Sequence, residues 1–395
     1  MAYAEHLRRY FPAVRGVTYL NTAYAGALPE ASVSAMQAAH AQAGEEGRLE
    51  VVQTSRLAVI RQQLREHLAH LLHTNPSTIA LTTGAAHALS LVLWGLTMQP
   101  GEEILYAGLG DPDLLLPLYT FRQRSGVVIR HLTGFADGDA LVAQVKEALT
   151  QRTRLVVVAQ VDHRSGRRLP VEAVGEVCRA RGVPLVVDGT YGAGADPVDL
   201  AGGFAMAYLV DGRRWLCGPF GVGALVIQPG WWSALQPAWA GEPALAEPAA
   251  IDAWGGFLLA PDARRFEGAA LEPAVWTGWL ESLRFLRGQA GWDLVFTRVM
   301  GLTGEALDGL LDLAHVRVWT PRDARAGMIA LEVAGHRANA LAEAARSRGI
   351  DLGVTPDGRG LRVSFGLYNH SEDVARLLKW LAETKPESPS KPAGD

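Results

Sequence analysis

The chain reads as an α/β protein: a large domain on a mostly parallel sheet flanked by helices, followed by a smaller α+β C-terminal domain. Three observations carry this reading. Between residues 102 and 228, runs such as Leu155-Val-Val-Val-Ala-Gln160 and Val183-Pro-Leu-Val-Val-Asp188 are apolar throughout instead of alternating, as strands buried on both faces are. Helical stretches separate these runs. Beyond residue 328 the order becomes strand, helix, strand, helix, over Met328 to Val333, Ala338 to Arg348, Leu361 to Phe365 and Ser371 to Glu383. A length of 395 residues and 49% hydrophobic content suit two sizeable cores.

Taken in order, residues Val17 to Pro29 begin as a short strand and break at Gly26 and Pro29. Thr54 or Ser55 then suits the cap of a helix reaching about His73, with Leu57, Ile60, Leu64, Leu68 and Leu71 on one face. A strand over Thr78 to Thr83 runs into the turn Gly84-Ala85-Ala86-His87 and an apolar helix, an arrangement whose free backbone N–H groups suit an anion. Further strands are expected at Ile104 to Ala107, Val127 to Ile129, Leu155 to Gln160, Val183 to Asp188, Ala207 to Val210 and Gly223 to Gln228. Ligands of such sheets sit outside the carboxyl ends of the strands, which places Asp188 where chemistry is expected. Residues 229–263 are irregular and rich in Trp, fitting a lid, a dimer contact, a pocket wall or simple loop packing. Helices follow from about Pro273 to Leu286 and around Leu294 to Ala314. The domains are read as 17–270 for the large one and 1–16 with 271–384 for the small one, with a disordered tail over 385–395.

A formal charge of −4 and a pI near 6.3 give no basic excess for a nucleic acid or an anionic membrane. No apolar stretch approaches the roughly 20 residues of a membrane span, and the first ten residues lack a signal-like apolar run, so a cytoplasmic location is expected. Cys178 and Cys217 form no disulfide framework, and no Cys/His cluster has metal-site spacing, so no metal is expected.

Several segments together resemble the class V aminotransferases, a family of pyridoxal-phosphate (PLP) enzymes of fold type I that includes cysteine desulfurases and isopenicillin-N-epimerase-like proteins. These are Tyr19-Leu-Asn21, the Gly84 turn, Asp188-Gly189, Asp211-Gly-Arg-Arg-Trp-Leu-Cys-Gly-Pro-Phe-Gly221, Arg265-Phe-Glu-Gly268 and Gly360-Leu-Arg-Val-Ser-Phe-Gly-Leu-Tyr-Asn369. The resemblance runs from about Tyr19 to Leu381. It implies a seven-stranded sheet in the large domain, a homodimer, and a site in which Asp188 bonds the pyridine nitrogen and Arg362 grips a substrate carboxylate.

The same resemblance exposes departures. Arg214 stands where the family has the lysine that forms the PLP Schiff base, and a guanidinium with pKa above about 12 supplies no neutral amine. The four lysines, Lys146, Lys379, Lys385 and Lys391, lie in segments not expected at the strand ends. In the phosphate cup, with Ala85 and Ala86 in the turn, Ala86 and Ala270 replace hydroxyl residues and Asp211 replaces a serine. Each lost bond to a charged group is worth about 1.5 to 3 kcal/mol, and an unpaired carboxylate roughly 4 Å from a phosphate adds about 4 kcal/mol of repulsion. Arg213 takes the usual histidine position and recovers part of this. Around the ring, Asp111 or Pro112 replaces the stacking residue, His163 the usual asparagine and Tyr191 the usual glutamine. The segment Asp351 to Gly360 has no cysteine, which argues against a desulfurase.

Three readings remain open. In one the chain is a homodimer of the family's fold that forms no PLP imine, its remodelled pocket taking a small anionic ligand or serving a partner. In another it is an enzyme of divergent chemistry on a carboxylate-bearing substrate, using Asp111, Asp113, His163, Asp188, Tyr191 and Asp211 near Arg213, Arg214 and Arg362, with PLP or its amine form bound noncovalently if at all. In the third it is an active PLP enzyme whose lysine lies elsewhere.

Overall fold

A computed structural model of the protein describes residues 6–47, 49–108, 111–247, 250–268 and 272–384. In chain order the elements that position the site are β1 (Thr18–Leu20), α1 (Glu30–Glu45), α2 (Glu50–Leu72), β2 (Ile79–Thr82), α3 (Ala85–Gly95), β3 (Glu103–Ala107), α4 (Pro112–Ser125), β4 (Val128–Leu132), α5 (Gly138–Ala148), β5 (Thr153–Ala159), α6 (Val171–Ala180), β6 (Leu185–Asp188), β7 (Ala207–Asp211) and β8 (Gly223–Ile227). Then come α7 (Pro273–Arg284), α8 (Trp292–Leu311), β9 (Val316–Val318), β10 (Met328–Val333), α9 (Ala338–Ser347), β11 (Ile350–Val354), β12 (Leu361–Ser364) and α10 (Ser371–Glu383).

The large sheet has seven strands in the order β2-β8-β7-β6-β5-β3-β4. From β7 to β4 all neighbours are parallel, and only β8 runs against its two neighbours. Alternate residues of one strand enter different cores: Leu105, Val156, Val158 and Val187 pack in one, Ile104, Leu155, Val157 and Val186 in the other. With both faces buried no polar alternation is tolerated, each such side chain contributing about 1.5 to 3 kcal/mol of burial. A third core lies between the smaller sheet and α8, α9 and α10.

The smaller sheet has five strands in the order β1-β11-β12-β10-β9. Its composition differs from the expected division of the chain at residue 17, because β1 lies parallel to β11 with Thr18 opposite Ile350. Arg8 also reaches this unit, donating to Asp373 at 2.7 Å and to the Tyr368 carbonyl at 3.0 Å. The helix expected to be capped by Thr54 or Ser55 starts earlier, at Glu50, with Leu49 as its uncapped N-cap. The expected tail, 385–395, lies outside the described residues. No helix among the described residues is long and apolar enough to cross a membrane.

Candidate functional site

Four loops leave the carboxyl ends of β3, β5, β6 and β7 side by side, and each delivers a polar residue to one buried place: Asp111, His163, Asp188 and Asp211, all at most 5% exposed. Asp111 is the N-cap of α4, its Oδ1 accepting from the Asp113 amide at 2.9 Å. His163 follows Asp162, whose carboxylate fixes the turn by accepting from the Ser165 amide and hydroxyl at 2.8 and 2.7 Å. Asp188 accepts from the Thr190 amide at 3.0 Å and from its hydroxyl. The Asp188-Gly-Thr190 turn therefore aims the carboxylate and brings Tyr191 into the centre of the group.

The segment Asp211 to Gly221 is folded tightly against α7. A Cβ on Gly212 would lie 2.7 Å from the Trp279 ring, so only glycine lets the indole pack there. A second close approach fixes the arginine: Gly26 donates to the Arg213 carbonyl at 2.8 Å, and a Cβ on it would meet the Arg214 carbonyl at 2.1 Å. Arg214 is 3% exposed. Its Nη1 donates to the Ala23 carbonyl, its guanidinium lies 4.0 Å over the Tyr191 ring, and its Nε is 3.6 Å from Asp211 Oδ2. Arg213 lies on the half-exposed side, 3.3 Å from Asp211, 3.4 Å from Asp113 and 5.3 Å over the exposed Phe220 ring. Asp211 thus faces two guanidinium groups.

Arg362 arrives from the small sheet on β12, and its guanidinium lies 5.6 Å from the Tyr191 ring centre, so two arginines flank one tyrosine. His163 and Tyr191 are 5.9 Å apart. Five atoms of this group are buried without a hydrogen-bond partner: Asp111 Oδ2, His163 Nε2, Arg213 Nε, Arg214 Nε and Arg362 Nε. Buried polar atoms are nearly always satisfied, and their convergence marks a place where a polar ligand or water completes the bonding.

Burial dominates the protonation states. It raises the Asp188 carboxyl to about 7, with Asp111 adding to the rise and Thr190 opposing it. It raises the Tyr191 phenol to about 12, against the pull of Arg214. It lowers His163, against the opposing carboxylates of Asp111 and Asp162, so the imidazole is neutral near pH 7. Burial also pulls Arg214 down, but Tyr191, Asp211, Asp111 and Asp188 together outweigh it and its pKa rises. The arrangement gathers Asp111, Asp188 and Asp211 with Arg214 and Arg362 around Tyr191, with a neutral imidazole at its edge.

Ala85 and Ala86 open α3, whose N-cap is Gly84 at φ 135° without a side-chain cap. The turn lies beside Gly223, the strand partner of Asp211, but Ala85 and Ala86 share no hydrogen bond with the buried group among the described residues. Ala270 lies outside the described residues. Three participants carry no sequence signal strong enough to single them out: the Ala23 carbonyl, the Phe220 ring and Thr190. Of these, only Thr190 was legible in principle, as the second residue after a strand-end Asp.

The family model for aminotransferase class-V matches residues 18–377. The chain belongs to the class-V aminotransferase family. Isopenicillin N epimerase from Streptomyces clavuligerus is 30% identical over 386 residues, covering 91% of this chain and 93% of that protein. A "Probable cysteine desulfurase" from Pseudomonas aeruginosa is 31% identical over 221 residues, a match spanning only 55% of each chain. Among solved structures, the complex of the cystine C-S lyase C-DES with its product cysteine persulfide superposes with a TM-score of 0.89 at 25% identity, covering 95% of this chain and all of that one. A mutant of C-DES with glycine covalently linked to its PLP cofactor gives 0.87, also at 25% identity, over 96% of this chain and 99% of that one. These matches establish the fold-type-I architecture, with its seven-stranded mostly parallel sheet.

Whether this class-V chain suits PLP is decided by its own residues. The buried group contains Asp, His, Tyr and Arg but no amine, and the two described lysines, Lys146 and Lys379, are exposed on α5 and α10. The start of α3 offers backbone N–H groups, but Ala85 and Ala86 add no hydroxyl. The Arg214 guanidinium spans from the Ala23 carbonyl to the Tyr191 face. These residues do not fit a covalently held PLP.

Proposed function

We propose that this class-V family member forms no PLP imine and that its buried strand-end site takes a small carboxylate-bearing anion against the free Nε edges of Arg214 and Arg362. The reading rests on Arg214 occupying the family's Schiff-base lysine position in the Asp211 to Gly221 segment, and it is carried by one observation. The Arg214 guanidinium is buried at 4.0 Å on the Tyr191 face, while its Nε, ion-paired at 3.6 Å with Asp211, and that of Arg362 make no hydrogen bond. Two buried guanidinium groups with unused donors attract an anion, and planar donor forks favour a carboxylate. The working unit is taken as a homodimer, in keeping with the apolar surface of Trp239, Trp254, Phe257 and Leu258, each at least 62% exposed.

A second reading, an enzyme acting on that anion, has its own support. His163 is neutral, buried, and presents an unpartnered Nε2 beside Tyr191, the state a general base requires.

Borohydride reduction of the purified protein in excess PLP, followed by peptide mapping, tests the main reading. No stoichiometrically labelled lysine peptide is expected. One lysine labelled to completion would mean that the family's imine chemistry survives and the reading is wrong.

A further inference from the structure

A cavity of about 950 Å³ opens along β9, the edge strand of the small sheet, near the upper end of the roughly 300–1,000 Å³ range of small-molecule sites. Its lining includes Arg164, Arg317, Trp319, Glu332, Arg337 and Arg359, four guanidinium groups against one carboxylate, in a chain whose net charge is −4. Arg164 is committed to Asp357 at 2.8 Å. Arg317 and Arg337 make neither an ion pair nor a side-chain hydrogen bond among the described residues, although Glu332 sits directly across the ladder from Arg317. Gathered cations with unused donors repel one another, and an anion between them removes that cost.

The helix geometry points the same way. Ala338 is the first residue of α9 and Arg337 its N-cap, both lining the cavity, and no side chain caps this ten-residue helix. Its first amides therefore add N–H donors and the positive end of a helix dipole to the arginines. The walls are preformed. Thr320 donates its hydroxyl to the Ser165 carbonyl, and the Arg164–Asp357 pair ties the His163 turn to the β11–β12 turn. The half-buried Trp319 ring packs on Gly360, where a Cβ would come within 2.8 Å of it. The Arg164 guanidinium lies over the same indole at 6.0 Å, so the ring stands beside the arginines with its edge on Gly360.

We propose that this cavity binds a small ligand carrying a chain of phosphates, held by Arg317, Arg337, Arg359 and the start of α9. The site shares no residue with the buried strand-end pocket, and it stands or falls separately from the reading given for that pocket. Two sources share the chemistry, an inorganic polyphosphate and a nucleoside triphosphate whose base stacks on Trp319.

The test titrates the full-length protein by calorimetry and tryptophan fluorescence, once with sodium tripolyphosphate and once with adenosine triphosphate, at low salt and then at higher salt. We expect saturable binding at one site per chain that weakens with salt. The double variant Arg317→Gln/Arg337→Gln should lose affinity at least about ten-fold, while Arg322→Gln, an exposed arginine paired with Asp308, should not. Both double-variant positions are exposed, so the thermal midpoint should hold and show that the variant is folded. Tighter binding of the nucleotide with fluorescence quenching assigns the base to Trp319; equal binding assigns recognition to the phosphate chain alone. Absence of saturable binding of both probes up to millimolar concentration at low salt, or undiminished affinity in a folded double variant, would overturn the proposal.

Discussion

Arg214 is held by three contacts of different kind: a carbonyl, an aromatic face and a carboxylate. None of them needs a cofactor, so the fold itself anchors the guanidinium, leaving its Nε without a hydrogen bond. Asp188 behaves differently, because its burial is not balanced by a direct cation. Its folded pKa of about 7 lies well above the roughly 3.9 of an unfolded Asp. Such a group favours the folded state fully below the unfolded value, and that contribution is lost as pH rises through about 7. Asp188→Asn keeps the acceptor for Thr190 without the charge. Its stability advantage over the wild type should grow by about 3 kcal/mol between about pH 5 and about pH 8. Parallel thermal midpoints for the two proteins across that range would show that Asp188 is not held near neutrality.

At the scale of elements, the site is built where strands end, and the far edge of the large sheet is pinned by a buried ion pair. Glu267 accepts from Arg65 of α2 at 2.6 Å and from the Leu81 amide of β2 at 2.9 Å, with both charged side chains almost fully buried. Glu267→Ala leaves the guanidinium uncompensated and should cost about 3 to 5 kcal/mol, read as a large fall in thermal midpoint. An unchanged midpoint would mean that water replaces the carboxylate without cost. The inner strands of the large sheet were legible from their apolar runs, whereas the edge strand β4 carries Arg130 and His131, is only partly buried, and extends to Leu132, beyond the expected Ile129. Helix α1 was not, since its Ala-rich sequence buries only Ser32 and shows no apolar stripe. Nor was β11, where Asp351 and Gly353 interrupt the pattern. The start of α2 was misplaced because a Thr and a Ser at 54 and 55 look like caps, while the chain begins the helix at Glu50 with none. In the site, Asp188 was readable from its place at a strand end and Arg362 from the resemblance. The Ala23 carbonyl was not, because a backbone acceptor contributed by a distant loop leaves no side-chain signal.

At the scale of the whole molecule, two sheets meet over the pocket, the large one supplying the acids, His163 and Arg214, the small one supplying Arg362. Family membership fixes this frame, while the chemistry rests on residues particular to the chain. Transfer of sulfur onto a protein cysteine requires an accessible thiolate, and neither cysteine provides one. Cys178 and Cys217 are at most 2% exposed, and burial raises both thiols to about 12. Titration with a thiol reagent should label neither cysteine in the folded protein and both after unfolding; rapid labelling of one in the native state would reopen a desulfurase role.

The most direct measurement is the absorbance spectrum of the protein as purified and after addition of PLP, beside that of Arg214→Lys. We expect the wild type to be colourless as isolated and to show no aldimine band with PLP. A band confined to the variant would report a ring pocket that lost only its anchor, and no band in either would report that the phosphate cup has gone as well. A wild-type protein that emerges yellow with stoichiometric PLP, or develops an aldimine band when PLP is added, would contradict the assignment of Arg214 as the end of imine chemistry in this chain.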